Sequence, residues 1–165
     1  MFESFFPKPK LFFLTTSVWV LLSILFWIYL GENLGRLIGF QLNPEAETII
    51  GIGYFFTPEF IWFDLYFIFC TLIFSIFWFY YSPHKWQFWS IIGSSFLIFS
   101  TYVTVQVNVI INEWYGPFYN DIQTALSGNN EITAMVLYLH LLTFSIIAFS
   151  YIGLAVIKSF FISHY

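Results

Sequence analysis

Long apolar stretches separated by short polar connections run the length of this chain, and none of them alternates with period two. Leu11 to Leu30 carries no charge. At 1.5 Å per residue such a run reaches about 30 Å, the thickness of a bilayer's hydrocarbon core. A second run extends from about Phe60 to Tyr81 and holds Asp64 roughly one turn in from its start. Trp86 to Asn112 is uncharged throughout, and Ile132 to Ile157 has only His140 as an ionisable group. All of these exceed the roughly ten residues of a barrel strand. Amides in hydrocarbon must bond within their own segment, so the runs are predicted to be helices. The expected fold is all-α, a single polytopic membrane domain over residues 1–165, with spans near 11–30, 60–81, 88–112 and 133–157.

The connections differ in kind. SPHKW, Ser82 to Trp86, reads as a tight turn in which Pro83 ends one helix, so spans two and three should form an antiparallel hairpin. The segment between spans one and two is longer and is punctuated by Asn43, Pro44, Gly51, Gly53 and Pro58. Its opening, ENLGRLIGF, is expected to form one or two helical turns lying on the membrane surface. FYNDIQTALSGNN reads as a separate short helix closed by Ser127, Gly128 and Asn129.

Composition confirms the solvent. Hydrophobic residues make up 59% of the chain and charged residues 8%, against about 25% charged in a soluble domain. The opening MFESFFPKPKLFF has the basic start and apolar run of a secretion signal, but lacks the small-residue cleavage site. The first run is therefore read as a retained anchor. With the N-terminus inside, Lys8, Lys10, Lys85 and Lys158 fall on the cytoplasmic side and Arg36 outside. That arrangement follows the positive-inside rule and predicts an N-in, C-in topology. Glu32, Glu45, Glu47, Glu59, Glu113, Asp121 and Glu131 then face outward. Trp27, Trp62, Trp86, Trp89 and Trp114 suit interfacial belts. No basic cluster suggests a nucleic acid partner. Cys70 stands alone in an apolar run and reads as a small buried hydrophobe.

Polar residues inside the spans are the candidates for chemistry. On a helical wheel Ser90, Ser94, Thr101, Thr104, Asn108 and Asn112 share one face of the third span, which predicts that this face turns inward. It serves either helix association or the wall of a substrate pathway. Glu113 follows directly, as a solvated acid or a proton carrier. His140, set into the fourth span, needs a hydrogen-bond partner, expected to be a Ser, Thr or Tyr, or else it handles protons. His84, His140 and His164 share no face, so no metal site is expected. Neither a zinc-protease HExxH nor a nucleotide-binding motif occurs, and no cofactor or enzymatic activity is expected. Any transport would draw on an ion gradient, the membrane potential or a separate subunit.

Three strings, MFESFFPKPKLFF, YYSPHKWQFWSIIG and INEWYGPFYNDIQTALSG, occur in the order and with the separation found in the SbmA/BacA-like peptide transporters of bacterial inner membranes. The chain resembles that family's N-terminal region over essentially its whole length. The resemblance implies a homodimeric importer of peptides and peptide-like antibiotics, driven by the proton-motive force. Its fold would be similar to the membrane domain of an ABC exporter without the ATPase. The family motif WYxPFYDxIQxAL carries to Trp114, Tyr115, Pro117, Phe118, Tyr119, Asp121 and Gln123, with Asn120 where the family has its acid and Asp121 one place later. Family members are considerably longer, so the chain is expected to be a fragment, or a subunit completed by a second polypeptide. On this resemblance, candidate pathway or proton-coupling residues are Thr101, Thr104, Asn108, Asn112, Glu113 and His140. A non-transporting membrane anchor or assembly subunit is the alternative.

Overall fold

The structure, a computed structural model, describes residues 5–43, 49–128 and 133–164. Pro44, Glu45, Glu47, Asn129, Glu131 and Ile132, to which the sequence assigns roles, lie outside the described residues, as does the side chain of His164. The described secondary structure is helical. Four helices are long and apolar enough to cross a membrane: α1, Pro9–Ile38; α2, Pro58–Tyr81; α3, Trp89–Leu126; and α4, Ala134–His164. A short 3₁₀ turn, Ile52–Phe56, precedes α2. Large apolar side chains are widely exposed along the helices, among them Leu14, Leu21, Phe69 and Phe149. Exposure of this extent suits lipid as the surrounding solvent. The protein is a multi-pass membrane protein.

Two helices run further than their sequence suggests. The stretch from Glu32 to Ile38 is not a separate surface helix; it continues α1 through a π turn at Trp27–Gly31. Gly39 stops it at φ +105, a left-handed conformation suited to glycine, with Phe40 N–H donating back to the Gly35 carbonyl. Likewise FYNDIQTAL is the last part of α3 rather than a helix of its own, and Pro117 lies inside that helix. Proline removes one backbone donor, and Trp114 and Phe118 on either side of it contact Phe144 and His140 of α4. The expected stop is met at Ser127 and Gly128, where Gly128 has φ +78. At 38 residues, α3 is about 57 Å long, so it must tilt or project past the bilayer.

The chain forms two compact units. The first comprises Met1–Glu45 and Pro58–Leu97, the second Ala46–Thr57 and Ile98–Tyr165. In the first unit α1 and α2 are joined by a row of aromatic donors. Trp62 Nε1 donates to the Gly31 carbonyl at 2.8 Å, Tyr66 Oη to Ser23 at 2.7 Å, and Trp19 Nε1 to Cys70 at 3.2 Å. Close approach depends on Gly35, where an added Cβ would lie 2.8 Å from Trp62 Nε1 and 2.6 Å from Leu42 Cδ1. Phe12, Trp78 and Ile91 form the core further along, bringing the start of α3 against α2. The intervening turn is stitched by Gln87 Oε1 accepting from His84 N–H and by His84 Nδ1 accepting from Trp86 N–H.

In the second unit α3 and α4 pack antiparallel around Val107, Ile110 and Ile147. Tyr54 and Phe55 of the 3₁₀ turn pack on this core, and Tyr54 Oη donates to Gln106 Oε1 at 3.0 Å.

The indole bonds make a paired prediction. Trp62→Phe leaves the Gly31 carbonyl without its buried donor and should destabilise the protein by about 1–3 kcal/mol. Trp78 is fully buried but its Nε1 has no acceptor, so Trp78→Phe loses no hydrogen bond and should cost less. Thermal unfolding of the two variants in detergent checks the order.

Candidate functional site

In the second unit several polar and aromatic residues singled out from the sequence meet. His140 Nε2 lies 2.8 Å from Asp121 Oδ2, with 21% and 27% of the two side chains exposed. The partner expected for His140 was a hydroxyl; the structure supplies a carboxylate. Antiparallel packing explains the change. Asp121 and His140 stand nearly equidistant from the connection between α3 and α4, so the two helices bring them level.

An aromatic cluster fixes the pair. Trp114 Nε1 donates to the His140 carbonyl at 3.0 Å, holding the α4 backbone against α3. The Trp114 ring stacks on Phe118 at 4.5 Å and lies 4.9 Å from Phe144. Phe118 meets the imidazole edge-on at 5.9 Å. Trp114 and Phe118 are one turn apart on α3, so the same face carries both rings, and Asp121 follows on it.

The chemistry follows from the donor inventory. An ionised carboxylate only accepts, so beside an ionised Asp121 the shared hydrogen belongs to His140 Nε2, leaving Nδ1 as the ring's second polar atom. Both side chains are partly exposed.

The other candidates divide. Tyr115 stacks on Tyr119 at 5.9 Å and both are exposed; Pro117 and Gln123 are exposed as well. Ser90 is buried and Ser94 half-buried, as an inward face requires, but Asn108, Asn112 and Glu113 are exposed. The polar face of α3 therefore changes from packed to open along its length. Thr104 donates to the Ser100 carbonyl at 2.8 Å, within its own helix. Thr101 Oγ1 accepts from Lys158 Nζ at 3.1 Å, a contact the sequence reading missed. Its signal was present: Thr101 and Lys158 obey the same hairpin register as Asp121 and His140. In the first unit Asp64 Oδ1 is buried without a hydrogen-bond partner. Among the described residues, no three His, Cys, Asp or Glu side chains are grouped to hold a metal ion.

A multi-pass helical membrane protein with an ionisable pair between two of its spans is the class that fold and site define. Residues 83–165, from the Pro83 turn through α3 and α4, match the SbmA/BacA-like family, and the chain belongs to that family.

A double-mutant cycle tests the pair. Asp121→Asn, His140→Ala and their combination should show a coupling of about 0.5–3 kcal/mol in detergent unfolding, the range for residues in direct contact. Additive losses would mean that the two side chains do not interact.

Proposed function

We propose that the protein takes part in proton-driven uptake of peptides and peptide-like antibiotics across a bacterial inner membrane. The observation that carries this reading is the Asp121–His140 pair, set beside the aromatic motif in the matched part of a transporter-like family. The pair can take up a proton while remaining joined, which is what a coupling group needs. The exposed Asn108, Asn112 and Glu113 side supplies polar groups for a wet pathway. Thr101 and Thr104 extend that face. A second copy of the chain or a second polypeptide completes the enclosure, and the architecture is that of an ABC-exporter-like membrane domain powered without an attached ATPase.

Topology is N-in and C-in, supported by the four lysines on one side and Arg36 on the other. In a Cys70→Ala background, Ser127→Cys should react in intact cells with a membrane-impermeant maleimide. Lys85→Cys should react only after permeabilisation. The reverse pattern overturns the orientation.

Uptake tests the function. In cells lacking other routes, the full gene product should import a fluorescent proline-rich peptide, and collapse of the proton gradient should abolish import. His140→Ala should reduce uptake by about 10²-fold or more, the lower range for loss of a proton-transfer group, while surface expression is unchanged. Undiminished uptake in His140→Ala rules out the pair as the coupling group.

The open Asn108 and Asn112 face also suits an anchor that docks a partner helix. Cysteines at these positions that crosslink to one fixed helix and never react from water would favour that second reading over a pathway.

A further inference from the structure

Lys158 is the one Asp, Glu, Lys or Arg residue of α4, and it comes at the end of an uncharged run beginning at Ala134. An ammonium at the end of that run suits the boundary between hydrocarbon and headgroups, which shifts the embedded part of α3 beyond the 88–112 expected from sequence, toward Leu126. Among the described residues the ion pairs are Arg36 with Glu32 and His140 with Asp121. Lys158 instead donates to the Thr101 hydroxyl at 3.1 Å. An ammonium has three donors, and a neutral hydroxyl leaves its charge uncompensated.

Beside it lies a cleft of about 250 Å³, lined by Thr104 of α3 and by Tyr151, Ala155, Lys158, Ser159 and Ile162 of α4. The α4 members recur at helical spacing and form one stripe. Ala155, the smallest of them, leaves the hollow. Its lining mixes one cation and hydroxyl donors, from Ser159 and Tyr151, with apolar surface. Exposed Ile152 and Val156 continue that apolar surface along α4.

We infer that this cleft binds the phosphodiester headgroup of an anionic phospholipid, with Lys158 as its counter-charge. A free anion satisfies the ammonium but leaves the apolar lining bare; a lipid brings the charge and the hydrocarbon together, at the depth where headgroups lie. A basic pocket between two spans is the setting in which such headgroups are held. The Thr101 contact keeps the flexible lysine stem in place, so the charge is presented before the lipid arrives. This site shares no residue with the Asp121–His140 pair, although Thr101 and Thr104 also extend the polar face assigned to the pathway.

Native mass spectrometry of the purified full chain, with phosphatidylglycerol and phosphatidylcholine supplied in equal amounts, tests the inference. The wild type should retain phosphatidylglycerol in preference by about fivefold, the scale expected for one lysine at a membrane surface. Lys158→Gln should bring the two lipids to parity, and Lys158→Arg should keep the preference. Ala155→Leu fills the hollow without touching the charge and should also lower phosphatidylglycerol retention, which separates site loss from misfolding. Thermal unfolding without added lipid verifies that each variant is folded. Unchanged preference in folded Lys158→Gln and Ala155→Leu overturns the site. Displacement of the lipid by equimolar inorganic phosphate or acetate overturns the lipid assignment in favour of a free phosphate or carboxylate ligand.

Discussion

A backbone amide in hydrocarbon has no water to turn to, and each one left unpaired costs several kcal/mol. This constraint makes the chain helical, and it also explains the use made of its aromatic residues. Helices already satisfy their own ladders, so attraction between them needs additional donors. Here these come largely from indole and phenol groups reaching across to backbone carbonyls: Trp62 to Gly31, Trp19 to Cys70, Tyr66 to Ser23 and Trp114 to His140. Each pairs a broad apolar ring, which packs, with one polar atom, which bonds. An aromatic share of 25% is thus a source of adhesion as well as of hydrophobicity.

The two helices of the second unit show how little polarity is needed to set a register. Asp121 meets His140 toward one end of their contact, and Thr101 meets Lys158 toward the other. Along α3 these levels are about 30 Å apart, close to the thickness of a bilayer core. Between them Val107, Ile110 and Ile147 pack without specifying position closely. A slip of one helical turn would separate both polar contacts at once, whereas the apolar core could be repacked. The polar contacts therefore select the alignment, and the apolar side chains pack around it.

Four helical spans were legible because length, absence of charge and missing period-two alternation all bear on the same physical question. Helix ends were less so. In ENLGRLIGF, Gly35 is a poor helix former, yet it lies inside α1, where the indole of Trp62 leaves no room for a larger residue. The segment from Phe118 reads as a helix of its own, yet Pro117 lies inside α3, with Trp114 and Phe118 stacked across it. Asp121 and His140 were each visible as unusual, but their partnership is a property of two helices and not of either pattern. Only the hairpin register, measured outward from the connection after Gly128, carries that information. The wheel grouped the polar residues of α3 on one face expected to turn inward; Ser90 is packed, but Thr101, Asn108 and Asn112 are exposed. Neighbours change along a helix that is longer than the membrane is thick.

Pro117 has one more effect. Its ring nitrogen carries no hydrogen, so the Glu113 carbonyl, four residues earlier, lacks its usual helical donor. The last two turns of α3 are thereby joined to the rest by a softened joint, and they carry Asp121, which is held to α4. Flexing at that joint would shift Asp121 relative to the Ile110 stretch of the same helix.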